Sequence, residues 1–184
     1  MKKTLVIGMV LLLSISMLAG CGGGGGGGST DKSPAAGSPA GAKGETHSAE
    51  NISALVPDGW KAFPFYSGGD ESPNTFSIHK GALSTMDQRY TPGVQIQFFP
   101  GGEGFGSNNQ KDMYDDVEDM APLTLGDYTW TGFFGVSSGR PFALLWTDSG
   151  SDKIQVTVWT EVEDEVITLL DWDVQAIISS IKPK

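Results

Sequence analysis

A serine motif near the middle of the second half of the chain has the pattern of a hydrolase nucleophile. The segment from Gly135 to Gly139 reads G-x-S-x-G, which in hydrolases places the serine on a sharp turn between a strand and a helix. The base is a histidine later in the chain, but no histidine follows His79, and a second strand is predicted after the motif. We therefore predict that Ser137 and Ser138 are hairpin residues, that the chain has no catalytic residue and that it is not an enzyme.

A glycine-rich segment from Gly101 to Gly106 follows a predicted strand and resembles a phosphate-binding loop in its spacing of glycines. The residues after it are strongly acidic, beginning at Asp112, and a field of carboxylates repels a pyrophosphate group. The sequence therefore predicts a flexible connection here and no nucleotide or other cofactor.

Carboxylates cluster in two places where a cation could bind, at Asp112, Asp115, Asp116 and Asp119, and at Glu161, Glu163, Asp164 and Glu165. Calcium needs about six to eight oxygen ligands that converge, usually from a loop, whereas carboxylates along one straight helix diverge into solvent. One cysteine and two histidines also leave too few ligands for a typical zinc site. We predict solvated acidic surfaces and no metal site.

Aromatic and arginine side chains are the candidates for binding. Trp159 falls on the polar side of a predicted strand, beside Gln155 and Thr157, where it can serve as a platform for a sugar or a protein partner. The alternative is a core position under a second helical layer. The predicted binding residues are Trp159, Arg140, Arg89, Tyr90 and His79.

The charge balance narrows the class of partner. The chain has 184 residues with 12 Lys or Arg against 22 Asp or Glu, a net charge of −10. From residue 49 onward the balance is 8 Lys or Arg against 20 Asp or Glu, which is −12. Because a polyanion would be repelled, this composition argues against nucleic acid as a partner.

The N-terminus has the order of features of a secretory signal peptide. Lys2 and Lys3 precede an apolar run from Leu5 to Leu18, which is short for a membrane span. The sequence Leu18-Ala19-Gly20-Cys21 resembles the lipobox of bacterial lipoproteins. The resemblance implies removal of residues 1–20, acylation of Cys21 (palmitate among the acyl groups), and anchoring at the outer face of the cytoplasmic membrane, or at an outer membrane.

The rest of the chain divides into a linker and one domain. Residues 21–48 contain the lipidated cysteine and a segment rich in Gly, Ser, Ala and Pro, which predicts a flexible tether that includes His47. Residues 49–184 have the size of a single domain. Within it, runs of alternating polar and apolar residues predict an antiparallel sheet.

Two helices are predicted to pack on that sheet. The first, from Asn109 to Met120, has an apolar stripe, and the second, from Trp172 to Ile181, begins at a capping Asp171. The predicted fold class is therefore α+β, a twisted antiparallel sheet with helices packed on it.

Three short segments resemble the PsbP-like family. They are Val56-Pro57-Asp58-Gly59-Trp60, the long final hairpin, and the residues from Asp171 to Lys182. The resemblance implies an α/β/α sandwich around an antiparallel sheet. Many bacterial members of that family are lipoproteins of unknown function. The resemblance brings no catalytic residue with it. An unrelated α+β domain with the same layers is the alternative.

These observations lead to one functional expectation with two alternatives. We expect a membrane-tethered, extracytoplasmic and non-enzymatic module that binds an envelope or extracellular protein. The alternatives are a hydrolase that acts on wall material or peptide, and a carrier of a small ligand. The scarcity of acid and base candidates favours the binding module over the hydrolase.

Overall fold

The computed structural model describes residues 42–106, 109–162 and 165–184. The predicted signal peptide, Cys21 and most of the predicted tether lie outside these residues. Within the described ranges, no helix has both the length and the apolar character needed to cross a membrane.

Twelve strands and one α-helix make up the regular structure of the described residues, together with 3₁₀ helices at Thr85–Arg89, Pro100–Gly102 and Lys111–Met113. The strands are β1 (Gly44–Ser48), β2 (Ile52–Pro57), β3 (Trp60–Ser67), β4 (Asp70–Lys80), β5 (Gly93–Phe99), β6 (Asp115–Leu125), β7 (Tyr128–Ser137), β8 (Arg140–Ser149), β9 (Asp152–Trp159), β10 (Glu161–Val162), β11 (Glu165–Val166) and β12 (Lys182–Pro183). The helix α1 spans Trp172–Ser179.

Seven strands form the main sheet, in the order β3-β4-β5-β9-β8-β7-β6, and every neighbouring pair is antiparallel. Alternate side chains of each strand point to opposite faces. On β5, Val94 and Ile96 are fully buried in the core, whereas Gln95 and Gln97 face the other way and are only half-buried. The two faces of the sheet therefore differ in chemistry.

A second layer covers the apolar face. It consists of the small sheet β1-β2-β12 and the helix α1, whose Val174, Ile177 and Ile178 are completely buried. Side chains of the main sheet such as Phe76 and Trp130 fill the space below. Burying these side chains stabilises the fold by about 1.5 to 3 kcal/mol for each large apolar group.

The helix at the C-terminus confirms the second predicted helix, although it ends at Ser179 instead of Ile181 and is not capped by the side chain of Asp171. Asp171 occupies the N-cap position, but its carboxylate Oδ2 accepts a hydrogen bond from the backbone N–H of Thr168 at 2.8 Å instead of from a helical N–H. The carboxylate therefore closes the turn that leads into the helix.

The predicted fold class is wrong. The protein is β-rich, with one α-helix among the described residues, and is not an α+β fold with helices packed on a sheet. The α/β/α sandwich implied by the PsbP-like resemblance is wrong for the same reason, because the one described α-helix lies on one side of the main sheet.

The error comes from the first predicted helix, which is the strand β6 preceded by a short 3₁₀ helix. Its pairing with β7 is irregular between Asp115 and Glu118 and again between Met120 and Leu123. Such bulges add residues that have no partner, so the half-buried positions 117, 120 and 123 recur every three residues. That spacing is also the spacing of a helix face, which is why periodicity alone predicted a helix.

The folded part also begins before residue 49. Gly44–Ser48, assigned to the tether in the sequence analysis, form β1 and pair along their whole length with β2. The ring of His47 lies 4.8 Å from the ring of Phe76, measured between centroids, and meets it edge-on. A strand of this composition was missed because its neighbours in sequence are glycine, serine and proline.

Candidate ligand-binding face

The second face of the main sheet, which we call the open face, carries polar and aromatic side chains. They alternate along each strand with the core residues. The open face consists of Ser77 and His79 on β4, Gln95 and Gln97 on β5, Gln155, Thr157 and Trp159 on β9, and Phe142, Leu144 and Trp146 on β8. Its central strands are internal to the sheet, so their backbone groups are paired and the side chains are what a ligand can contact.

A shallow cavity of about 220 Å³ lies on the open face. Its lining includes the aromatic rings of Phe65, Phe142 and Trp159 and the amides of Gln95, Gln97 and Gln155. A small, concave site with aromatic walls and a few convergent polar groups has the general form of a ligand pocket.

Aromatic packing holds one side of this cavity in place. Phe133, Phe142 and Leu144 form a buried cluster separate from the main core, and Trp159 packs against it. The centroids of Phe142 and Trp159 are 5.7 Å apart, and those of Phe142 and Tyr114 are 4.8 Å apart. These spacings lie in the range of favourable aromatic pairs, so the rings form a rigid wall.

An amide pair forms the floor of the cavity. Gln155 Nε2 donates a hydrogen bond to Gln97 Oε1 at 3.0 Å, between adjacent strands. Gln155 is only 2% exposed, and its Oε1 is buried without a hydrogen-bond partner. Because a buried polar group without a partner costs about 1 to 3 kcal/mol, this atom is suited to a partner from outside the chain.

Arg140 lies beside Trp159 at one end of the open face. Its Cζ is 4.7 Å from the centroid of the Trp159 ring, which is within cation–π distance. Nε and Nη2 of Arg140 are buried without a hydrogen-bond partner, and burial lowers the pKa of its guanidinium. Both groups predicted from sequence are therefore present and in contact.

His79 lies in the same row of the sheet. Across the strands, His79 pairs with Gly93 and Gly93 pairs with Trp159. Its Nδ1 is 3.3 Å from the carbonyl oxygen of Thr91. The pKa of His79 is lowered to about 4, mainly by burial, with the hydrogen bond to Thr91 opposing the shift and the charge of Arg140 adding to it. The ring is therefore neutral at neutral pH.

The other two predicted binding residues lie at the rim. Arg89 ends a 3₁₀ helix and Tyr90 follows it, and both are exposed, Tyr90 by 61%. This segment is tied to the open face by the hydroxyl of Ser77, which donates to the amide oxygen of Gln88 at 2.9 Å. Of the five predicted residues, the structure thus brings Trp159, Arg140 and His79 together.

The sequence analysis missed the amides and the ring of Phe142 as site residues. Gln155 was recognised as a polar neighbour of Trp159, whereas Gln95 and Gln97 belong to one of the alternating runs that predicted the sheet. Their meeting depends on the register of β5 with β9, which pairs Gln97 with Gln155. The sequence did contain one indication of this site. On these central strands, the polar positions of the alternating pattern hold amides where charged side chains would be expected.

The other candidates in the sequence were the serine motif, the acidic residues and the glycine-rich segment. Ser137 ends β7 and Ser138, with φ of 52°, forms the turn into β8, as the hairpin prediction required. Within the described ranges, no three His, Cys, Asp or Glu residues are grouped so that they could hold a metal ion. In the glycine-rich segment, the backbone N–H of Gly101 donates to the carboxylate of Asp152 at 2.8 Å.

A larger apolar groove of about 640 Å³ lies at the edge of the main sheet, along β6 and residues 165–170. Its described lining is largely apolar and includes Phe134, Val166 and Leu170, all of them exposed. Among the residues described there, none has a buried polar side-chain atom without a partner. The open face is therefore the stronger candidate for a specific site.

Comparison with known proteins gives little help. No protein-family model matches this chain, and no curated protein matches it in sequence. A crystal structure of a protein from Bacteroides thetaiotaomicron VPI-5482 is similar to it, with 12% sequence identity and a TM-score of 0.45. The similarity covers 77% of this chain and 48% of that protein, so this chain spans about half the length of the structure that it matches.

Proposed function

We propose that this protein is a non-enzymatic binding module of the cell envelope, anchored through a lipid on Cys21, and that the open face binds its ligand. The observation that carries the proposal is a set of buried polar atoms without hydrogen-bond partners on the open face, Gln155 Oε1 at the cavity and Nε and Nη2 of Arg140 beside Trp159. They stand beside a wall of aromatic rings.

Native proteins rarely leave buried polar groups without a hydrogen bond. About nine-tenths or more of buried polar groups have a hydrogen-bond partner, so each exception calls for an explanation such as a functional role or an ion or water that completes the bonds. A ligand that hydrogen-bonds to Gln155 and Arg140 recovers the cost of burying them and stacks on Trp159 at the same time.

The titratable group at this site suits binding better than catalysis. His79 is neutral at neutral pH because its pKa is lowered to about 4, and its Nδ1 is engaged with Thr91. A general base is most effective when its pKa lies near the working pH. We therefore assign His79 a packing role beside the site.

A bulky substitution on the open face tests this proposal without any assumption about the chemistry of the ligand. Gln95 is half-buried on the open face, so Gln95→Trp places a large ring across the cavity. Thr46→Trp is the matched control, because Thr46 is exposed on β1 on the opposite side of the main sheet. Both variants and the parent are produced as chains that begin at Gly22, so that neither a lipid on Cys21 nor the apolar run from Leu5 to Leu18 contributes to retention.

The measurement is retention of each chain on isolated envelopes of the producing organism, with a thermal melt to confirm folding. We expect Gln95→Trp to lose at least tenfold in retention and Thr46→Trp to match the parent. Equal retention of all three chains would contradict the proposed binding face.

A further inference from the structure

The charges on the open face are distributed unlike those of the rest of the protein. Between residues 49 and 184, 20 carboxylates outnumber 8 Lys or Arg side chains. On the open face, by contrast, the central strands β4, β5 and β9 contribute no carboxylate from residue 75 to 80, from 93 to 99 or from 153 to 159. A carboxylate near the ends of this face, Asp148, is paired with Lys153.

Arg140 stands out against this background. Two ion pairs are found among the described residues, Lys111 with Asp119 and Lys153 with Asp148, and neither includes Arg140. Among the described carboxylates of this acidic domain, none thus forms an ion pair with the half-buried guanidinium of Arg140. That arrangement is complementary to a negative group on a ligand.

The atoms left without partners define what kind of negative group fits. Nε–H and Nη2–H lie on the same edge of a guanidinium and point in parallel, which matches the two oxygens of a carboxylate. These are the two nitrogens of Arg140 that are buried without a partner. The planar edge fits a bidentate carboxylate, and lysine cannot reproduce that geometry.

The rest of the site favours hydroxyl groups over a peptide backbone. Peptides commonly bind to sheets by pairing with an edge strand, but β5, β8 and β9 are internal and their backbone groups are already paired. The open face instead offers the amides of Gln97 and Gln155. Because a hydroxyl both donates and accepts, it satisfies the free atom of Gln155 whichever way the amide is turned.

The aromatic wall fits the same ligand. The faces of aromatic rings carry partial negative charge, so they attract the C–H bonds on one side of a sugar ring. Gln155 and Trp159 are four residues apart on β9, which separates them by about 13 Å. A ligand that reaches from Arg140 to Gln155 is therefore a short oligosaccharide and not a single ring.

From these observations we infer that the open face binds an acidic oligosaccharide, with a sugar carboxylate on the Nε and Nη2 edge of Arg140 and ring hydroxyls on the amide of Gln155. This inference rests on the proposed function and specifies its ligand class. It assigns Arg140 as the residue that discriminates acidic from neutral sugars.

The test is calorimetric titration of the full chain with trigalacturonate and with its fully methyl-esterified form, which has the same hydroxyls and no charge. We expect the acid to bind at least tenfold more tightly than the ester. Arg140→Gln should abolish this preference, and Arg140→Lys should restore little of it because the bidentate edge is missing. Lys182→Gln is the matched control, since it removes one exposed positive charge from β12, on the opposite side of the main sheet.

Several results would overturn the inference. These are equal binding of acid and ester, equal effects of Arg140→Gln and Lys182→Gln, or tighter, Arg140-dependent binding of an acetylated triglutamate peptide. No binding of trigalacturonate would also overturn it. If envelope retention still depends on Gln95 in that case, the proposed function stands and only the ligand class is wrong. If Gln95→Trp also leaves envelope retention unchanged, both the proposed function and the proposed ligand class are wrong.

Discussion

The imidazole of His79 lies directly over the backbone of Gly93, where a β-carbon would come within 2.5 Å of Nδ1. Only a glycine at this position leaves room for the ring, and the two residues are paired across β4 and β5. The next residue in the same row is Trp159. The contact therefore fixes the position of a ring beside the candidate site.

Gly93→Ala should destabilise the fold by about 1 to 3 kcal/mol, because the new methyl group overlaps the buried ring. The double variant Gly93→Ala, His79→Ala removes the overlapping ring, so its free energy of unfolding should exceed the value expected from adding the two single effects. Urea denaturation of all four chains measures this coupling. Strict additivity would mean that the ring and the backbone are not in contact.

Acid should weaken the fold through His79. Its pKa is lowered from 6.5 to about 4, so between those pH values the unfolded chain binds more protons than the folded one. The contribution is fully present above pH 6.5 and is lost as the pH falls to about 4, with an upper limit of about 3 kcal/mol. The charge of Arg140 lowers the pKa of His79, as burial does. Lys61 is the residue paired with His79 across β3 and β4.

Urea midpoints of the parent and of His79→Gln at pH 7.5 and pH 5 test this dependence. The variant should lose less stability than the parent on acidification. It will keep some pH dependence, because burial also lowers the pKa of His47. If both chains lost the same stability between pH 7.5 and pH 5, His79 would be ruled out as a source of the pH dependence.

Trp159→Ala distinguishes a surface platform from a core residue. The ring is half-buried, with one contact to Phe142 and another to Arg140, so we expect a loss of about 2 kcal/mol, between the values for exposed and buried sites. Trp172→Ala, at a residue that is 52% exposed, should change stability by about 0.5 kcal/mol or less. A thermal melt that ranks Trp172→Ala as the more damaging change would contradict this assignment.

Chains that start at different residues test the role of β1. A chain that begins at residue 42 keeps Gly44–Ser48 and the contact of His47 with Phe76, whereas one that begins at Ala49 loses both. We expect the shorter chain to melt several degrees lower. Melting points within one degree of each other would mean that β1 contributes nothing to stability.

Much of the sheet could be predicted from the sequence, because the regular alternation along β5 and β9 and the continuous apolar run of β8 depend only on neighbouring residues. The final helix was predictable for the same reason, from an apolar stripe after Asp171. The strand β6 was not, because its bulges depend on how β7 is paired. At the candidate site, Trp159 was visible as an aromatic ring on a polar face, but the meeting of Gln97 with Gln155 depends on register between distant segments.

Replacement of Cys21 tests the anchor. Cys21→Ser should abolish acylation and block cleavage before this position, because the thiol is the predicted attachment point. Mass spectrometry of the N-terminal peptide and partition into detergent measure both effects. A parent chain with an unmodified N-terminus elsewhere would contradict the predicted lipid anchor.

The acidic strand β6 has a consequence for how the protein behaves at high concentration. β6 is an edge of the main sheet and presents Asp116, Glu118 and Asp119 as exposed carboxylates. Asp116 lies within a bulge, and the other two lie between this bulge and a second one. An unprotected edge is a template on which other chains can add strands and grow into fibrils. A second copy that approached this edge in register would bring its own carboxylates against these. The same residues that imitate a helix in the sequence therefore keep crowded copies of the protein from polymerising.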